Sequence, residues 1–137
     1  MGSRFERLVR TDLLDTHTLL WLDVDTAALS REVTRLLRQS EIAVASITWF
    51  ELALLERRAR VRPEGPVRAR LSRLTREFRS APISPAIAAT TAGLGAQFPN
   101  DPFDRITDAT AVKHGWQPVI KDRQLFKYPA DRTVAVW

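Results

Sequence analysis

Asp15, Glu51, Asp104 and Asp122 are the residues of this 137-residue chain whose type and placement point most directly to chemistry. Each follows a short apolar run or stands near the start of a predicted helix. Four carboxylates gathered in one place repel one another, and the usual reason a protein tolerates them is a divalent cation. Magnesium and manganese prefer carboxylate and water oxygens. Two such ions about 3.5–4 Å apart clamp an in-line displacement at phosphorus, one activating a water and the other steadying the leaving oxygen. That chemistry needs no serine or histidine nucleophile. It suits a chain with two histidines, no cysteine and no serine flanked by glycines.

Each acid also has a plainer reading. Asp101 is most simply a helix N-cap. Glu51 would favour a helix dipole, and Asp122 would open a turn. Asp15 follows Leu13-Leu14 and precedes an apolar helix, so its charge would lie close to the core, which is expensive unless it is paired or metal-bound. Asp108 stands one turn after Asp104 on the same helix face, as an outer ligand or as the partner of an arginine. Thr16 and Thr48 carry hydroxyls beside two of the acids, either for a water in the site or as caps. His17 orients or caps more readily than it ligates. The joint occurrence of the four acids, not any one of them, carries the metal reading.

The elements that must position these acids alternate between strand and helix. Leu13-Leu14 reads as a strand ending at Asp15, with Thr16 capping a helix from His17 to about Leu22. Ser30 caps a helix over 31–39. Residues 42–45 read as a buried strand. Thr48 caps a helix over 49–59, with Glu51 in its first turn. An amphipathic helix spans 67–78. Residues 81–84 form at most a minimal strand before a helix from Pro85 to Leu94. Asp101 and Pro102 open a helix that ends at His114 with Gly115 as its left-handed cap. Residues 118–121 form a strand directly before Asp122, and residues 133–136 a last one. Short apolar strands alternating with helices predict a three-layer α/β/α fold around a short, mainly parallel sheet. In such sheets ligands bind beyond the carboxyl ends of the strands, where the strand order reverses. All four acids would face that edge.

The length fits one domain, read as an N-terminal extension over 1–10 and a single α/β domain over 11–137. The absence of cysteine excludes disulfides, thiolate zinc sites and cysteine nucleophiles. Residues 1–10 are polar, with Arg4, Arg7 and Arg10, and lack the apolar run of a signal peptide. No apolar run spans a bilayer. The expectation is a cytoplasmic protein with no membrane partner. The net charge is +5, and 18 of the 21 basic residues are arginine. From Glu56 to Arg79, nine arginines stand against three acids. Planar guanidinium groups favour phosphate, and a solvated helical face or an acidic protein partner would use the same residues.

Asp15-Thr16-His17-Thr18-Leu19-Leu20-Trp21 resembles the opening of PIN-domain toxin ribonucleases of the VapC type. Thr48-Trp49-Phe50-Glu51 resembles their second acidic motif. Asp101-Pro102-Phe103-Asp104-Arg105, followed by Ala109-Thr110-Ala111, resembles the third and is the most specific. Lys121-Asp122 resembles the fourth, and Val134-Ala135-Val136-Trp137 the last strand. The resemblance covers residues 13–137 and implies a magnesium- or manganese-dependent (Mg2+ or Mn2+) endoribonuclease. It implies a homodimer held inactive by a cognate VapB-like antitoxin. The acids it carries over as catalytic and metal-binding are Asp15, Glu51, Asp104 and Asp122. Thr16, Thr48, Asp101 and Asp108 would support them, and Arg57, Arg58, Arg60, Arg73 and Arg105 would contact RNA. The chain departs from the pattern at Asp108, often a small apolar residue, at Ile120, often Ser or Thr, and at Asp12, which stands in a usually apolar strand.

A competing reading is a non-catalytic RNA- or protein-binding module on the same fold. It needs no metal affinity. A haloacid-dehalogenase-type enzyme would need a second acid two residues after Asp15, and a receiver-like domain would need adjacent acids near its start. Both patterns are missing here.

Overall fold

A computed structural model describes residues 10–24, 26–58, 66–96, 98, 100–120 and the backbone of 135–136. The strands are β1 (Thr11–Leu14), β2 (Glu41–Ala45), β3 (Arg79–Ala81), β4 (Gln117–Ile120) and β5 (Ala135–Val136). The helices are α1 (Thr16–Val24), α2 (Arg31–Arg38), α3 (Ile47–Arg57), α4 (Val67–Glu77), α5 (Pro85–Gly93) and α6 (Pro102–His114), with a short 3-10 turn at Thr26–Ala28. The strands form one sheet in the order β3-β2-β1-β4-β5, and every pairing is parallel. The chain builds outward from β1 through β2 to β3, then crosses to the other side of β1 for β4. The reversal therefore falls between β1 and β4, at the edge where Asp15 stands.

Side-chain alternation along the strands divides the core between two faces. Leu14, Val44 and Val119 point to one face, where Leu19, Leu20, Val33, Leu37, Leu52 and Leu74 from α1 to α4 cover them. Leu13 and Ala43 point to the other, against Ala111 of α6 and the partly buried Trp116. The small side chains of Ala43 and Ala111 let α6 approach the sheet closely. Both faces are covered, so the strands read as short continuous apolar runs.

The local signals explain most helix ends. Ser30 accepts a hydrogen bond from Val33 N at 3.2 Å, and Ser84 accepts one from Ile87 N at 3.1 Å. Gly115 closes α6 with φ +68°, which favours a residue without a Cβ. Three expectations are corrected. Thr16 does not cap α1; it is the first helical residue, and the Asp15 carboxylate is the cap. Thr48 does not cap α3, which begins at Ile47 after Ser46. Glu51 consequently lies in the second turn of α3, not the first. The cause of the last two is tertiary: Ser46 N donates to Ala81 O at 2.8 Å, so β3 ties down the end of β2 and the helix starts at once.

Asp12, fully buried in β1, is held by Arg10 through Nε–Oδ1 at 2.9 Å and Nη2–Oδ2 at 3.4 Å. This paired carboxylate explains how the strand tolerates an acid. Among the described residues no helix is long and apolar enough to cross a membrane.

Candidate functional site

Asp15 is the first residue beyond β1. Its N–H donates to Val119 O at 3.1 Å, which ties the end of β1 to β4. Its carboxylate accepts from Thr18 N at 2.7 Å. The start of α1 therefore aims its partial positive charge at this acid. Thr18, fully buried, also donates its hydroxyl to Val119 O at 3.2 Å. Sequence reasoning missed Thr18; the signal was Asp15 as a cap, whose partner is ordinarily the amide two or three residues on.

Glu51 reaches the same edge from α3. It accepts a hydrogen bond from the buried Thr16 hydroxyl, so the first residue of α1 and an acid of α3 are directly joined. Burial raises the Glu51 pKa. The Thr16 bond and His17 oppose that rise, while Asp101 and Asp15 add to it. Thr48, one turn earlier on α3, is fully buried, and its hydroxyl has no hydrogen-bond partner among the described residues.

Asp101 caps α6, accepting from Phe103 N at 2.9 Å and Asp104 N at 3.1 Å. The N-cap reading of Asp101 is thus correct, and it does not remove Asp101 from the site. Asp104, the third residue of α6, has its pKa pushed up to about 7. Burial is the largest cause, followed by the charges of Asp101, Glu51, Asp15 and Asp108. Asp108, one turn further along α6, is almost wholly buried. Three helices and the β1 edge therefore place Asp15, Glu51, Asp101, Asp104 and Asp108 in one electrostatic neighbourhood. Asp122 lies outside the described residues.

The donor set is carboxylate oxygen throughout, which fits a hard divalent cation. Among the described residues, no three acidic or histidine side chains already converge on one point as a ready-made ion cage. The repulsion that lifts Asp104 acts against such convergence, and magnesium ordinarily keeps several waters among its ligands.

Aromatic rings flank the acids. Phe50, beside Glu51, is 55% exposed, and its ring centroid lies 5.8 Å from that of Phe103, beside Asp104. The arginines expected near RNA divide into two groups. Arg57 and Arg58 are exposed. Arg73 is already bonded to Asp23 at 2.7 Å and to Glu77 at 3.3 Å. Arg105 donates to the carbonyls of Leu94 at 2.6 Å and Thr91 at 3.2 Å, locking α5 to α6. Arg60 lies outside the described residues.

The raised Asp104 pKa fixes a pH dependence for the metal-free protein. The unfolded carboxyl releases its proton near its ordinary 3.8, whereas the folded one holds it to about 7. Between those values the folded state binds more protons, so raising the pH favours unfolding. In EDTA, the melting temperature of the wild type relative to Asp104→Asn should fall steadily from pH 4 to pH 7. A difference that is flat or rises over that range would refute the coupling.

The PIN domain family model matches residues 13–131. Ribonuclease VapC22 of Mycobacterium tuberculosis (strain ATCC 25618 / H37Rv) is 41% identical over 128 residues, covering 93% of this chain and 98% of that protein. Among solved structures, VapBC2 from Rickettsia felis bound to a DNA fragment from its promoter aligns with a TM-score of 0.60 at 16% identity, covering 93% of this chain and 98% of the other. A toxin-antitoxin complex from Klebsiella pneumoniae aligns with a TM-score of 0.57 at 24% identity, covering 79% and 83% of the two chains. At these identities the two structures speak for the fold.

Proposed function

The chain belongs to the PIN-domain family, in its VapC-type branch, and from that premise we propose that it is a divalent-metal-dependent endoribonuclease, the toxin of a toxin–antitoxin pair. Asp15, Glu51, Asp104 and Asp122 would hold Mg2+ or Mn2+. The observation that carries this reading is that the β1 edge, α3 and α6 bring Asp15, Glu51, Asp101, Asp104 and Asp108 within reach of one another's charge, with Glu51 bonded to Thr16, the chain neighbour of Asp15. A half-buried group of like charges with no compensating cation destabilises a fold, and a divalent ion relieves that repulsion by binding. The 41% identity to a protein named as a ribonuclease supports the activity.

The side chains divide the work. Thr18 N–H fixes the Asp15 carboxylate, and the Thr16 hydroxyl fixes one oxygen of Glu51. Asp101 holds the first turn of α6 and so sets the position of Asp104. These bonds orient the acids before any ligand arrives, which limits reorganisation during reaction. A bound cation would supply a water of lowered pKa and charge compensation at the phosphodiester. Arg57 and Arg58, exposed at the carboxyl end of α3, would offset the repulsion between RNA and the acids.

The partner follows from the same electrostatics. A VapB-like antitoxin that inserts an arginine or lysine among the carboxylates would neutralise them in place of the cation. It would also cover apolar surface such as Phe50. The test is cleavage of total cellular RNA by purified, antitoxin-free protein. Cleavage should require Mg2+ or Mn2+, stop in EDTA and stop on adding the antitoxin. Cleavage that persists in EDTA, or none with either metal, would contradict the reading.

A further inference from the structure

Several arginines are engaged within the protein: Arg10 on Asp12, Arg70 on Glu56, Arg73 on Asp23, Arg79 over the Trp116 ring at 5.1 Å, and Arg105 on two carbonyls. Helix α2 departs from this. Arg31, Arg35 and Arg38 recur at i, i+4 and i+7, which sets them along one side of the helix. All three are exposed. Among the described residues, none of them forms an ion pair, and Glu32 of the same helix compensates none of them. Together with Thr34, Gln39 and Leu29 they line a cavity of about 510 Å3. That volume lies within the ordinary range of ligand pockets, which are usually mostly apolar. Here three guanidinium groups, Thr34 and Gln39 share the walls with Ala27 and Leu29.

The opposite side of α2 is fastened to the core by Val33 and Leu37. The backbone carrying the three arginines is therefore seated, and like charges one turn apart repel unless something anionic lies between them. The Arg38 end of the row stands apart from the acids. Arg38 lies three residues before β2 begins, at the amino edge of the sheet, whereas Asp15 lies at the carboxyl edge. Strands of four or five residues separate these edges by roughly 13–17 Å.

We propose that the α2 arginine row is a second, non-catalytic site that binds the phosphodiester backbone of RNA at a distance from the bond being cut. Seven residues of helix span about 10.5 Å, so the row meets successive phosphates rather than a single anion. Each guanidinium can bond two phosphate oxygens, and the Thr34 hydroxyl and Gln39 amide add neutral donors. A peptide partner docked as a helix would require a continuous apolar groove, whereas here three cations, Thr34 and Gln39 interrupt the apolar surface. The site extends the contact between enzyme and RNA well beyond the scissile phosphate, so it selects for long or folded RNA. The identity of the ligand rests on the ribonuclease reading; the row and its cavity do not.

The test measures binding by fluorescence anisotropy of a labelled 40-nucleotide single-stranded RNA in EDTA, from 50 to 300 mM salt. The triple variant R31A/R35A/R38A should bind at least about tenfold more weakly at 100 mM salt. Its log–log salt slope should be shallower by about 2, from three lost phosphate contacts at about 0.7 each. The lysine triple R31K/R35K/R38K should restore most of the slope. A control, R68A/R76A/K113A, removes the same three charges from exposed positions elsewhere and should change affinity less than threefold. Equal weakening by the control would reduce the row to net charge and overturn the site. So would unchanged RNA affinity, including the case where only antitoxin binding or duplex DNA binding is lost. Because binding is read without metal, absence of RNA cleavage would overturn the proposed activity, whereas unchanged affinity would overturn this site alone.

Discussion

Asp104→Asn should abolish metal-dependent RNA cleavage while leaving the metal-free protein folded and more stable at pH 7. The substitution keeps the shape of the side chain and the N-terminal capping of α6, since the cap is Asp101. It removes one negative charge from a half-buried neighbourhood that already contains Asp15, Glu51, Asp101 and Asp108. A cation held by these acids contributes several kcal/mol of charge stabilisation in the transition state, so its loss corresponds to roughly 100–1000-fold or more in rate. Repulsion and burial cost fall together, so the melting temperature in EDTA should rise. A binding ligand that normally stabilises the folded state by mass action would lose that effect in the variant. The wild type should therefore gain stability on adding Mn2+, and Asp104→Asn should gain much less. A variant that is inactive but melts lower than the wild type in EDTA would mean that Asp104 is a structural acid.

Glu56→Ala should be among the most destabilising single substitutions outside the core. Arg70 of α4 is only 7% exposed and bonds Glu56 of α3 at 3.1 Å. Its other terminal nitrogen, Nη1, is buried with no hydrogen-bond partner among the described residues. Removing Glu56 leaves an uncompensated buried cation, which costs about 3–5 kcal/mol. That is a large share of the 5–15 kcal/mol typical of a domain. The double substitution E56A/R70M replaces the pair by apolar surface and should recover most of the loss. Urea denaturation measures both. A loss below about 1 kcal/mol in Glu56→Ala would show that the guanidinium finds water or another partner when α4 shifts.

The layered fold with its parallel sheet was legible in the chain, as were the ends of α6, and the reasons are local. Asp101-Pro102 and Gly115 mark the two ends of α6 by side-chain and backbone preferences that need no tertiary context. Short apolar runs separated by helical patterns led to a parallel sheet covered on both faces, as β1, β2 and β4 show. The helix starts at Asp15 and Ser46 were misjudged for different reasons. Asp15 and Thr16 are both good caps, and sequence alone does not say which one the chain reaches first. Ser46 is set by its bond to Ala81, a contact 35 positions away.

The arginines were the least legible part. A count over residues 56–79 drew attention to that segment, yet Arg70 and Arg73 are bonded to acids from α3, α1 and their own helix. Arg105, beside the most specific acidic motif, is fastened to carbonyls at the end of α5. Partners of this kind come from other elements, so charge density along the chain does not report which guanidinium groups remain open. The three on α2 form a shorter cluster and line one cavity together.

The central claim is that Asp15 and Asp104, separated by most of the chain, hold one cation between them. Crystals grown with Mn2+ and measured at the manganese absorption edge test it directly. An anomalous peak should lie within coordinating distance of a carboxylate oxygen of Asp15 and one of Asp104, directly or through a single shared water. Full manganese occupancy elsewhere on the molecule, with no peak between these two carboxylates, would contradict it.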